Sequence, residues 1–284
     1  MASSGTGKLV SGPGNVAISD LRARGAKGGV IGKHRAMVGL DWTAGRVARS
    51  LLLSIAGAVV LVFSLPLLAR GYTIFYEEVV WWVGLPAGVG TTPFHVSDVL
   101  QIDVPYLRLA APWPERWHWI VVWSLTVIAF LLSFLLPARF LPARYFLRFV
   151  AMVQTVALGY FAFAHPPFLY PLPGYSSGML AAGMAVLVLV PIVLGFAFYI
   201  FDHDLGRQLL FTLAVIGHMA VLLPLQVLIH AWLSHYLSAL VQPTLFFVFG
   251  LLLEVLVFVA FYGWGMSWTG TEIPQTQPTR VVKP

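Results

Sequence analysis

Six long apolar stretches alternate with shorter polar ones along the chain. They fall at 51–69, 118–137, 149–165, 178–200, 208–232 and 243–264. Each is about 17–25 residues long, enough to cross a hydrocarbon core of ~30 Å as a helix. Lipid offers no partner to a backbone amide, so runs of this length predict helices that close their hydrogen bonds internally. The pattern predicts an all-α integral membrane protein with six transmembrane helices over residues 50–265. A polar arm at 1–49 precedes them and a tail at 266–284 follows. One long segment, 70–117, separates the first two spans.

The basic residues orient this scheme. With the amino end in the cytoplasm, fourteen of the 17 Lys and Arg residues fall in cytoplasmic segments. Only Arg70, Arg108 and Arg116 fall on the opposite side. The bias alternates correctly at every turn, which predicts cytoplasmic termini (N-in/C-in). The repeated Leu-Pro-Ala-Arg at 136–139 and 141–144 reads as a tight cytoplasmic turn with basic anchors. The arm carries eight of the basic residues and little that could form a core. It suits anionic lipid headgroups better than nucleic acid, because no aromatic residue interleaves with its charges before Trp42.

Segment 70–117 is too rich in aromatic residues to be a plain linker. Tyr72 to Val83 holds Phe75, Tyr76, Trp81 and Trp82 around the adjacent Glu77 and Glu78, and predicts an interfacial helix on the outer leaflet. Pro86, Pro93, Pro105, Pro112 and Pro114 predict short turns after it. A long loop of this composition packs as a lid or binds something, and the four aromatic residues are its candidate partner surface.

Composition narrows the chemistry. Charged residues make up 10% of the chain against 59% hydrophobic, which excludes an ordinary soluble domain. The absence of cysteine excludes disulfides, thiolate metal sites, iron–sulfur clusters and cysteine nucleophiles, and with the charge bias suits a bacterial inner membrane. Gly174-Tyr175-Ser176-Ser177-Gly178 satisfies the G-x-S-x-G pattern, but no strand precedes it. Ser176 or Ser177 is better read as the N-cap of the fourth span.

Two constellations of polar residues remain. His95, His118, His165, His230 and His235, with Asp98, gather on the outer side in this topology. Imidazole with carboxylate suits copper or zinc, and imidazole also ligates haem, although no ligand spacing here is specific. His230 and His235 could converge only if their helix ended between them, since five residues turn a helix by about 140°. Inside the membrane, His218 and Gln226 in span five and Glu254 in span six are costly unless paired or functional. His218 and Glu254 each lie about 15 Å from the inner end of their span, so the reading predicts that they pair. Pro224 should crowd the carbonyl of Ala220 beside them. In the turn between spans four and five, Asp204 beside Asp202 and His203 reads as a helix cap.

The resulting expectation is a non-catalytic subunit or accessory protein of a larger inner-membrane complex, docking another membrane or periplasmic subunit through its external segment. The alternatives are a membrane metalloprotein or oxidoreductase with outer-face histidine ligands, and a small proton- or ion-coupled transporter using His218 and Glu254.

Overall fold

The computed structural model describes residues 44–95, 101–163, 170–198 and 205–267. Most of the basic arm, Asp98, His165, Asp202 to Asp204 and the tail beyond 267 lie outside them. In chain order come α1 (Ala44–Trp82), the strands β1 (Gly88–His95) and β2 (Gln101–Arg108), α2 (Arg116–Leu135), α3 (Leu141–Phe163), α4 (Leu172–Phe198) and α5 (Leu205–Leu237). A broken helix follows: a 3-10 turn at Ala239–Val241, α6 (Gln242–Phe246), a π segment at Phe247–Leu251 and α7 (Leu252–Ser267). Six stretches among the described residues are long and apolar enough to cross a membrane: Val47–Trp82, Arg116–Leu135, Ala138–Phe163, Leu172–Phe198, Leu205–Leu237 and Ala239–Gly265. This is a multi-pass α-helical membrane protein.

The first correction concerns α1. Its 39 residues form one helix about 58 Å long. Tyr72 to Val83 continue that helix; they are not a separate one lying on the leaflet. A stripe of buried residues holds it together: Leu61, Leu65, Ala69, Tyr72, Tyr76 and Val80 recur every three or four positions straight through Pro66 and past Arg70. The helix stops where Gly84 takes a φ of +65°. The Gly84 amide bonds to the Trp81 carbonyl (3.2 Å) and the Leu85 amide to the Val80 carbonyl (3.1 Å), while Leu85 and Val80 are both buried. That is a Schellman stop, which needs a residue that tolerates the left-handed region.

The second correction is the hairpin. Pro93 and Pro105 sit inside antiparallel strands, Pro93 opposite Asp103 and Pro105 opposite Thr91. A two-stranded ribbon has two edges, so alternate amides point away from the partner strand and proline can occupy those positions. On β2, Ile102, Val104 and Leu107 face the core, and the Leu107 amide donates to Ser176 Oγ at 3.3 Å.

α4 is the central helix, packed against α1, α5 and β2. Its approach to α1 depends on small residues. A Cβ on Gly195 would collide with Ser54 Oγ and lie 3.1 Å from the Ser50 carbonyl, and one on Gly57 would lie 2.9 Å from Pro191 Cβ. Ser176 and Ser177 do not cap α4. The helix already starts at Leu172, and the two hydroxyls donate back to the carbonyls of Pro173 and Gly174. α2 and α3 form an antiparallel pair joined by the Leu-Pro-Ala-Arg turn. Arg144 Nε donates to the Ser133 carbonyl, Arg148 Nε to Ser133 Oγ, and Arg148 lies over the Phe134 ring at 4.5 Å. α3 begins at Leu141, well before the predicted 149, because these two arginines turn back on α2 and let the helix continue through them.

Candidate functional site

Two polar residues of the spans, Gln226 and Glu254, lie at the broken helix. The backbone departs from helical geometry at Gly250 (φ −92°, ψ −107°), inside the π segment. Such widened turns recur where a helix carries a function. Gln226, on the buried face of α5, reaches this break: its Nε2 donates to the carbonyls of Phe249 and Gly250, the latter at 3.2 Å. Both amide protons are therefore used, and this fixes which way the amide points. Its Oε1 is buried without a hydrogen-bond partner among the described residues.

One turn past the break, Glu254 is 7% exposed and Gln226 is 4% exposed. They share a small cavity with Gly183, Leu187, Met219, Leu222 and Leu223, with about 10 Å³ open to a water molecule. That is room for one. Pro191 adds a further polar group nearby, because it cannot supply the amide that would normally bond the Leu187 carbonyl. α4, α5 and α7 thus meet around one carboxyl group.

His218 does not join them. It is exposed on α5, and its ring faces Phe261 at 5.1 Å. The predicted pair with Glu254 does not form. Depth arithmetic places two residues at one level but says nothing of rotation. On α5 the buried positions include Val215, Met219, Leu223, Gln226 and His230, and His218 lies one residue, about 100°, off that stripe.

At the hairpin end of the molecule the histidines separate. His118 opens α2, where its Nδ1 accepts the Glu115 amide (3.1 Å) and its ring stacks on Trp117. This is the reciprocal half of a capping box, with imidazole where Glu or Gln usually stands. His230 Nδ1 shares a 2.8 Å hydrogen bond with the Tyr175 hydroxyl, both residues being buried. His235 Nδ1 bonds the Ala110 carbonyl at 3.0 Å. α5 runs unbroken to Leu237, so His230 and His235 point apart. His95 is exposed on β1, opposite Gln101, and so lies in a strand and not in a helical turn. Among the described residues no three histidines or carboxylates come together as metal ligands, and Asp98 and His165 lie outside those residues.

The candidate partner surface divides in two. Tyr76 is fully buried and cannot meet a partner, while Phe75 is half-buried and packs against the core with one side. Trp81 and Trp82 are 78% and 77% exposed at the end of α1, edge to face with ring centres 5.9 Å apart. An open cleft of about 540 Å³ is bounded by Arg108, Trp113, Tyr170, Leu172, Ala239 and Gln242.

Sequence reasoning missed Tyr72 and Tyr175. Tyr72 hydroxyl donates to the Ala220 carbonyl at 2.9 Å, and Tyr175 holds His230. The signal for Tyr72 was present as the three-and-four spacing that runs from Leu61 to Val80. No protein-family model, curated protein or solved structure matches this chain.

Proposed function

We propose that the protein is a non-catalytic integral component of a larger inner-membrane complex, with both termini in the cytoplasm and the hairpin end outside, where it docks another subunit. The observation that carries this reading is the pair Trp81 and Trp82. The helix beneath them is held by a continuous buried stripe, so the two indoles project from a rigid support. The adjacent Glu77 and Glu78 are exposed one turn earlier. Exposed carboxylates are costly in hydrocarbon, which favours placing this end of α1 beyond the lipid core. Large rigid aromatic side chains left uncovered outside the lipid are the usual anchors of a protein interface. The charge bias supports the orientation and the inner membrane.

The test is a photocrosslinking amino acid placed at position 81, 82 or 76 of the full chain in its native membrane. Positions 81 and 82 should yield one discrete protein adduct, and position 76 none. Adducts to lipid alone at 81 and 82 would overturn the docking role and leave the indoles as membrane anchors.

A further inference from the structure

We propose that Glu254 and Gln226 form an intramembrane proton-binding site, in which the Glu254 carboxyl carries the proton and Gln226 Oε1 accepts it, directly or through one water. Donors and acceptors do not balance at this site. Gln226 spends both amide protons on the carbonyls of Phe249 and Gly250, so the oxygen left over can only accept. That oxygen is buried and lacks a donor. An ionised carboxylate is also acceptor-only. Lining one small apolar cavity, the two would leave a buried charge and a buried amide oxygen both uncompensated, each a costly arrangement.

The surroundings supply no cation to relieve this. The cavity is lined from α4 by Gly183 and Leu187 and from α5 by Met219, Leu222, Leu223 and Gln226. Glu254 is its single titratable side chain among the described residues. Along α5, His230 lies one turn from Gln226 but its Nδ1 is bonded to the Tyr175 hydroxyl, and His218 is directed to Phe261. A single proton resolves the count: it neutralises the carboxyl and turns one of its oxygens into the donor that Gln226 lacks. The space open to a water molecule, about 10 Å³, fits one bridging water and nothing larger.

The break in the helix matters to this arrangement. Without the π segment and the kink at Gly250, the carbonyls of Phe249 and Gly250 would be absorbed by the helix. Gln226 would then have no reason to present its nitrogen to them and its oxygen to the cavity. The distorted turn therefore sets the polarity of the site.

Infrared difference spectroscopy on the full chain in lipid vesicles tests the proposal, comparing acid and alkaline pH in H2O and D2O. A protonated-carboxyl stretch should be present, shift in D2O, and vanish in Glu254→Gln, which keeps the size of the side chain. In Gln226→Leu the band should persist but move to the position of a carboxyl without a hydrogen-bond acceptor. Thermal unfolding of each variant checks that the fold survives. If no carboxyl band is lost in a folded Glu254→Gln protein at any pH, the site does not bind a proton. A band that sodium chloride abolishes and choline chloride does not would make this a metal-cation site and overturn the assignment. Neither result bears on crosslinking at Trp81 and Trp82, so the two proposals fail separately.

Discussion

The Tyr72 hydroxyl donates to the Ala220 carbonyl at 2.9 Å, one turn before Pro224 on α5. Proline at 224 has no amide to give that carbonyl and its ring crowds it. Tyr72, from α1, supplies the missing donor across the helix interface. The proline in one helix and the tyrosine in another are thus one feature.

Tyr72→Phe should therefore destabilise the protein by about 1–3 kcal/mol, since it leaves a buried acceptor without a donor. Pro224→Ala restores an amide at 224, which can bond the Ala220 carbonyl along the helix. In that background Tyr72→Phe should cost distinctly less. A double-mutant cycle on thermal unfolding in detergent measures the coupling. Equal losses in both backgrounds would show that the hydroxyl does not compensate for the proline.

The glycines of α4 differ in what they face. A Cβ on Gly195 meets Ser54, with its Cβ at 2.8 Å, and the Ser50 backbone carbonyl at 3.1 Å. A Cβ on Gly183 meets only the tip of the Leu223 side chain, which can rotate. Gly195→Ala should cost about 1–3 kcal/mol by forcing α1 and α4 apart, and Gly183→Ala should cost less. Adding Ser54→Gly should recover part of the Gly195→Ala loss. Unfolding midpoints of the three variants decide it, and a Gly183→Ala variant at least as damaged as Gly195→Ala would contradict the packing account.

The six spans were legible because apolar length is a one-dimensional signal that any crossing helix must show. Their limits were less so. Hydropathy stops α1 at Arg70, yet the buried stripe from Leu61 through Tyr72 to Val80 continues, because an exposed arginine interrupts hydropathy and leaves the packed face untouched. The same distinction explains His218 and Gln226. Both were visible as polar residues in an apolar run, but only the three-and-four pattern of α5 separates the exposed His218 from the buried Gln226. The break at Gly250 and the Tyr175–His230 bond depend on contacts between segments distant in sequence, which neither hydropathy nor spacing encodes.

Tyr175 and His230 are both buried, and their 2.8 Å bond satisfies the Nδ1 of the imidazole. Tyr175→Phe removes the hydroxyl and leaves that nitrogen without its partner, so the unfolding midpoint should fall, by about 1–3 kcal/mol in stability. His118, His230 and His235 each spend a ring nitrogen on Glu115, Tyr175 or Ala110, so a chelator should not shift the wild-type midpoint. A midpoint that drops on chelation and recovers with added zinc or copper would instead place a metal at the hairpin end.

The chain contains no cysteine, so a single introduced thiol reports its own position without background. Thr91 is exposed on β1, and Ala138 is exposed in the turn between α2 and α3. Both changes are small and spare the charges that set orientation. Beside that turn, in the first turns of α3, Arg144 and Arg148 are tied to Ser133, which holds two positive charges at one end of the α2–α3 pair. Moving such a cluster across the membrane is strongly disfavoured, whereas the hairpin end carries few basic residues. A membrane-impermeant maleimide should therefore label Thr91→Cys on intact cells, and Ala138→Cys only after the membrane is opened. The reverse pattern would invert the topology and place Trp81 and Trp82 in the cytoplasm. Labelling of both sites on intact cells would mean that the two ends of the α2–α3 pair share one side, and the six-crossing arrangement would fail.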